Sequence, residues 1–236
     1  MARLTVITGA SSGIGLAAAR AFAAAGHPLL LLARHMEALP DFAGKPVLYA
    51  SVDVADFDGV ERAVRGAEQA YGGTDCLVNA AGFVDARPFD EVTPADYERE
   101  IRTNLLGVFN GIKAVLAGMT ERKAGTIINI GSISDRKTAP VALAYTASKY
   151  GVRALSESLR EAEGQHGIRV VNVAPGYVRT NIHQRMGITF EEYCRRLGHP
   201  DFMTADELAA ILLYCYQLPA HLCIRDLVVA PTRTTF

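Results

Sequence analysis

Tyr145 and Lys149 stand four residues apart in Tyr-Thr-Ala-Ser-Lys, within a stretch that carries Val152, Leu155 and Leu159 at helical spacing. A helix over about Ala142 to His166 places the phenol and the ammonium one turn apart on one face, and the chemistry that pair offers is proton transfer. A free phenol has a pKa of about 10, and lowering it by two to three units takes roughly 3 to 4 kcal/mol of extra stabilisation of the phenolate. One ammonium about 4 Å away, at an effective dielectric near ~20, supplies about that much. An isolated Tyr-x-x-x-Lys is more often a packed ring and a solvated lysine, so its meaning depends on what surrounds it.

The surroundings read as alternating strands and helices. Apolar runs at Leu4 to Thr8, Leu29 to Ala33, Val47 to Ser51, Cys76 to Asn79, Thr126 to Ile130, Arg169 to Ala174 and Asp226 to Val229 suit strands covered on both faces. Between them, an alanine-rich stretch to about Ala25, then Asp56 to Tyr71, Pro94 to Met119, Ala142 to His166 and Thr204 to Leu218, have helical periodicity. The expectation is one α/β domain over residues 1–236, with a doubly wound, seven-stranded parallel sheet and helices on both faces. Ligands of such sheets bind beyond the carboxyl ends of the strands, where the polar and glycine-bearing groups of this chain fall. These are Asp53 and Val54 after the third strand, Asn79-Ala80-Ala81-Gly82 after the fourth, Ser132 after the fifth and Pro175-Gly176 after the sixth. The first strand runs into Gly9-Ala-Ser11-Ser12-Gly13-Ile14-Gly15, a glycine turn between strand and helix that lets the main chain approach a phosphate.

With half its residues hydrophobic, 21% charged and a mean hydropathy of +0.13, the chain is expected to be globular. A net charge of -1 gives no electrostatic footprint for nucleic acid or an anionic membrane. No apolar run reads as a signal peptide or a membrane span, and a cytoplasmic location is the expectation. Cys76, Cys194, Cys215 and Cys223 are too sparse for a disulfide framework, and His221 with Cys215 and Cys223 lacks a second ligand pair, so no metal is expected.

These motifs resemble, in order and over nearly the whole chain, those of the short-chain dehydrogenase/reductase family. Thr8 to Gly15 matches its glycine loop, Asp53-Val54 its adenine-side pair, Asn79 to Gly82 its Asn-x-Ala-Gly and Asn104 its helix asparagine. Ser132, Tyr145 and Lys149 match the catalytic set and Pro175 to Thr180 the Pro-Gly-x-x-x-Thr, while Ala80 departs from an asparagine common there. The resemblance implies a Rossmann-type oxidoreductase, with Ser132 binding the substrate oxygen and Tyr145 as its general acid/base. Lys149 would tune Tyr145 and hold the nicotinamide ribose, Asn104 would place a relay water, and Val178 and Thr180 would fix the carboxamide. It also implies a homo-oligomer, a tetramer or dimer, paired through the helices at Pro94 to Met119 and Ala142 to His166.

Ala33 stands where an acidic residue would grip the adenosine ribose of NAD, and Arg34 follows it. A guanidinium there, with Ser11 and Ser12 nearby, suits a 2'-phosphate, so NADP(H) is the expected cofactor. The substrate loop falls at about Ile182 to Met203, with Arg179, His183 and Arg185 at its start and Arg136 and Lys137 after Ser132 as candidate groups for a substrate carboxylate. The run Ile127 to Ser132 and the C-terminal stretch are similar to the NADP-dependent 3-hydroxy acid and serine dehydrogenase branch. A ketoreductase acting on a ring ketone, and a protein that binds NADPH without turnover, are the alternatives.

Overall fold

Seven short apolar runs hydrogen-bond side by side in a computed structural model that describes residues 3–234. They are β1 (Leu4–Thr8), β2 (Leu29–Ala33), β3 (Val47–Ser51), β4 (Thr74–Asn79), β5 (Gly125–Ile130), β6 (Ile168–Pro175) and, last in the chain, β9 (Asp226–Val229). Two-residue strands β7 (Val178–Arg179) and β8 (Met203–Thr204) pair only with each other. The sheet order is β3-β2-β1-β4-β5-β6-β9, and every neighbouring pair is parallel, as the alternating pattern predicts.

Successive side chains of a strand point to opposite faces, and β2 shows why its leucine run forms a central strand. Leu29 and Leu31 enter a core with Phe22 of α1 (Gly13–Ala24) and Leu208 and Leu212 of α8 (Ala205–Gln217). Leu30 and Leu32 enter the other core, with Val60 and Val64 of α2 (Phe57–Tyr71), Val108, Ile112 and Val115 of α4 (Gly107–Arg122) and Val152 of α5 (Leu143–Glu163). Each fully buried leucine contributes about 1.5 to 3 kcal/mol by leaving water, and all four are at most 2% exposed. The sheet is therefore anchored on both faces, and its carboxyl edge is a rigid platform.

Three segments depart from expectation. The helix expected over Pro94 to Met119 is α3 (Pro94–Ile101), a π-helical turn at Arg102–Leu106 and then α4, which ends at Lys123 in the left-handed region with φ 52°. The π turn contains Asn104; such turns re-register the main-chain ladder and change which groups face a neighbouring site. The helix carrying Tyr145 starts one residue later than expected, because Ala142 adopts φ 60°, an uncommon conformation for a residue with a Cβ. Its final turn, Gly164–His166, is 3-10.

The expected substrate loop is the third departure, since it holds α6 (Ile182–Arg185) and α7 (Phe190–Arg196). The signal for α7 was in the sequence: Thr189 accepts the N–H of Glu192 as a cap, with Glu191 and Glu192 in the first turn and Arg195 and Arg196 in the last.

Candidate functional site

The turn after β1 can be built only from glycine at two places. A Cβ on Gly9 would stand 2.7 Å from the Ala81 Cα and 2.8 Å from the Ala80 oxygen, and one on Gly15 would strike the Gly9 main chain. Gly9 and Gly13 also have φ of 67° and 55°. The Thr8 hydroxyl accepts the N–H groups of Ala80 and Ala81, each at 3.1 Å, and the Ala10 N–H donates to the Leu32 oxygen, so the ends of β1, β2 and β4 lock together. Ser11 and Ser12 are exposed, and the Ser12 side chain makes no capping bond at the start of α1. Ile14 is the second residue of α1 and packs against the core on the α1–α8 face. A Cβ on Gly13 would lie 3.4 Å from the Thr180 Cγ2, which brings the segment after β6 over the turn. Free helix N–H groups, two free hydroxyls and a cradle that a Cβ would fill fit a pyrophosphate.

Other expected cofactor contacts fall along the same edge with differing side-chain freedom. Arg34 is exposed and has no hydrogen-bond or ion-pair partner among the described residues, and the chain beyond it is hooked to β3 by Ser51, which bonds both the N–H and the oxygen of Met36. Asp53 is exposed and accepts the Ala55 N–H at 2.9 Å. The Val54 side chain is buried against Gly107, and its oxygen accepts the Asn110 amide at 2.9 Å. The Asn79 side chain turns away: its amide donates to Asn129 at 2.9 Å, Asn129 donates to Ser156, and all three are buried. Only the Asn79 main chain is placed to meet a ligand. Gly176 is pinned by its N–H to Val229 at 2.7 Å, following Pro175 at the end of β6 and ahead of the partly exposed Val178.

Ser132, Tyr145, Lys149 and Asn104 come together beside Gly82. A Cβ on Gly82 would stand 3.2 Å from the Asn104 Oδ1 and 3.9 Å from the Lys149 Nζ. The Lys149 ammonium lies 5.4 Å from the Tyr145 ring centroid and donates to the Ile130 oxygen at 2.7 Å. Burial of Lys149 pulls its pKa down to about 8, against the opposing pull of Asp135 and Glu100. Asn104 clamps Phe83, accepting its N–H at 3.0 Å and donating to its oxygen at 2.8 Å, and also donates to the Ser148 hydroxyl at 3.3 Å. Both amide N–H groups are engaged, while Oδ1 accepts one bond and keeps a second lone pair open.

Burial, rather than the neighbouring ammonium, is the largest influence on Tyr145. Burial of the phenol pushes the Tyr145 pKa up, Ser132 hydrogen bonding pulls it down, and the negative charges of Glu100 and Asp135 raise it further. The two carboxylates escaped the sequence reading. Asp135, fully buried, receives Arg136 Nε at 2.6 Å and Asn172 Nδ2 at 2.9 Å, and Arg136 also bonds Asp226 at 3.0 Å. This network fixes the turn after Ser132, where a Cβ on Gly131 would meet Asn172 and Asp135 oxygens at 2.7 and 2.8 Å. It also removes Arg136 from the candidate carboxylate ligands, because its guanidinium is held between two aspartates.

Arg179 and His183, with Thr180, Asn181, Gln184 and Phe190, line a cavity of about 410 Å³. The Arg179 guanidinium lies 4.8 Å over the Phe190 ring, and the His183 Nδ1 is 3.2 Å from the Thr180 oxygen. The Tyr193 ring of α7 lies 6.2 Å from that of His183, and its hydroxyl is pushed up to about 12 by burial and by Tyr145. Lys137 is exposed, and the Arg185 side chain lies outside the described residues.

A family model described as short chain dehydrogenase matches residues 3–189, and the chain belongs to that family. Sulfoacetaldehyde reductase 2 from Chromohalobacter salexigens is 35% identical over 99% of this chain and 96% of its own length. Glycine betaine reductase from Emericella nidulans is 30% identical over 97% of this chain, which spans only 19% of that protein. Among solved structures, the closed form of a serine dehydrogenase complexed with NADP+ superposes with a TM-score of 0.90 at 26% identity, covering 99% of this chain and 96% of that one. No described helix is long and apolar enough to cross a membrane.

Proposed function

We propose that the chain is an NADP(H)-dependent oxidoreductase that interconverts a small carbonyl compound and its alcohol, with Tyr145 as the general acid/base. The observation that carries this reading is the convergence of Ser132, Tyr145 and Lys149 at the carboxyl edge of the sheet, beside a turn whose glycines cannot be replaced without collision. The bound nicotinamide supplies or accepts the hydride. The protein's own part is to hold the substrate oxygen with the Ser132 hydroxyl and to give or take its proton at the Tyr145 oxygen. Lys149 supplies positive charge beside the Tyr145 ring, while Ser11, Ser12, the free N–H groups of α1 and Arg34 hold the cofactor's phosphates. Gly9, Gly13, Ile14 and Gly15 shape the cradle, and Asp53, Val54, the main chain of Asn79 to Gly82, Pro175, Gly176, Val178 and Thr180 complete the groove.

The substrate proposed is a small aldehyde or hydroxy acid bearing an anionic group. Arg179 and His183 at the cavity support it, as do relatives whose names specify sulfoacetaldehyde and serine, both of which carry an anionic substituent. A ring ketone is the second reading, favoured by a levodione reductase structure that superposes with a TM-score of 0.86 at 27% identity. Absorbance at the nicotinamide band, with NADPH against aldehydes and ketones and with NADP+ against 3-hydroxy acids, serine and cyclic alcohols, separates them. Acidic substrates are expected to turn over, and their esters to lose at least about tenfold in kcat/KM, the value of one charge-assisted hydrogen bond. Esters that match their acids would overturn the anionic reading, and NADPH binding without turnover of any substrate would overturn the enzyme reading.

The working unit proposed is a homo-oligomer paired through α4 and α5. Phe109 is 47% exposed, Tyr150 40% and Leu143 39%, large apolar groups on the two helices that flank the site. Light scattering on the eluting protein is expected to give the mass of a dimer or tetramer, and a monomer mass at micromolar concentration would refute it.

A further inference from the structure

Glu100 lies in the last turn of α3, is 1% exposed and stands four residues before Asn104, yet the proposed reaction makes no use of it. Its Oε1 accepts the Asp85 N–H at 3.2 Å. The charges that face it come from three elements. In the loop after β4, Asp85 is clasped by Arg87; on α3, Asp96 is clasped by Arg87 and Arg99; and on α5 stand Lys149 and Tyr145. Arg87 and Arg99 are thus engaged by aspartates, and Asp135 beyond Lys149 is engaged by Arg136. Asn104, one turn on from Glu100, donates to the Ser148 hydroxyl, which donates to the Tyr145 main-chain oxygen, and the Asn104 Oδ1 and Lys149 Nζ both border Gly82, so a charge appearing or vanishing on Glu100 falls on Lys149 and Tyr145 as well as on Asp85.

We propose that Glu100 is a positioning residue for proton transfer at Tyr145, a buried carboxyl one turn before Asn104 whose charge state sets how tightly Tyr145 and Lys149 hold their protons. This rests on the reading of Tyr145 as general acid/base. Burial holds the Glu100 proton up to about 7, against the Asp85 N–H, Lys149 and Arg99, which favour the anion. Above that pH the anion strengthens the hold of Tyr145 and Lys149 on their protons and so delays the phenolate that alcohol oxidation needs. With the carboxyl neutral or removed, the phenolate forms at lower pH. Because the folded protein keeps this proton between 4.5 and about 7 while an unfolded chain releases it, Glu100 lowers stability as pH rises through that window.

Glu100→Gln keeps an acceptor for the Asp85 N–H and removes the charge. The alkaline rise of kcat/KM for oxidation is expected to move down by about half to one pH unit, so that the rate at a fixed pH on that limb increases roughly three- to tenfold. Two readouts need no turnover. Infrared difference spectra with NADP+ bound are expected to show a protonated carboxyl band that vanishes as pH rises through about 7 and is missing in Glu100→Gln. Tyrosinate absorbance, taken as wild type minus Tyr145→Phe and compared in the Glu100→Gln background, is expected to appear at lower pH. Absence of the band, or a tyrosinate titration unmoved by Glu100→Gln, would overturn the proposal. An enzyme inactive on every substrate would defeat the functional reading and leave these two titrations to decide Glu100. Should Glu100→Gln not fold, Glu100→Asp serves: a displaced band supports the assignment and an unchanged one refutes it.

Discussion

Tyr145→Phe is expected to lower kcat for both directions by about a thousandfold or more while changing the dissociation constant for NADPH less than about threefold, since general acid/base groups contribute on the order of 10² to 10⁴. The ring that remains still packs under the Lys149 ammonium, 5.4 Å away, and Lys149 keeps its bond to the Ile130 oxygen, so the groove is preserved. What is lost is the one hydroxyl at this point with a shifted proton affinity and a hydrogen-bonding partner in Ser132. Burial raises that affinity. Oxidation needs the phenolate, so its rate is expected to climb with pH where reduction does not. Single-turnover absorbance measures the loss, and quenching or enhancement of bound NADPH fluorescence measures binding. A variant that keeps more than a tenth of wild-type turnover would remove Tyr145 from the chemistry.

How far the sequence reached can be judged from particular residues. β2 was legible because a short leucine run at βαβ distance from the glycine turn suits a strand buried on both faces, and the glycine turn was legible because it lies between a strand and a helix. Glu100 was not, because Pro-Ala-Asp-Tyr-Glu-Arg-Glu-Ile reads as a solvated helix, and its burial depends on the Asp85 loop folding over it. Arg136 read as a free cation after Ser132; the partner that holds it, Asp226, is ninety positions further on and reaches it only because β9 closes the sheet beside β6. Lys149 was assigned the tuning of Tyr145 from helical spacing and the family resemblance. That spacing gives proximity but cannot weigh desolvation, which outweighs the other influences on both groups. The π turn at Asn104 lay beyond a periodicity argument too, since apolar spacing on either side of it is continuous.

The nucleotide preference gives the other large effect. Arg34→Asp is expected to weaken NADPH by about ten- to a hundredfold and to bring NADH to parity or better, inverting the ratio of kcat/KM. Arg34 is the first residue past β2, after Ala33, whose main chain is fixed by pairing with Ser51, so its side chain must leave the sheet edge near the turn that carries Ser11 and Ser12. A guanidinium can make two parallel bonds to a phosphate, and a charge-assisted contact of this kind is worth about 1.5 to 3 kcal/mol, which is the range of the expected loss. Its exposure makes the interaction subject to screening, so raising salt is expected to weaken NADPH more than NADH in the wild type and to lose that distinction in the variant. A carboxylate at the same place repels the phosphate and accepts hydrogen bonds from a free ribose hydroxyl. Titration of both nucleotides against wild type and Arg34→Asp, at low and high salt, carries the test. Equal affinity of the unmutated protein for the two would show that Arg34 is a solvated arginine and that discrimination, if any, lies in Ser11 and Ser12.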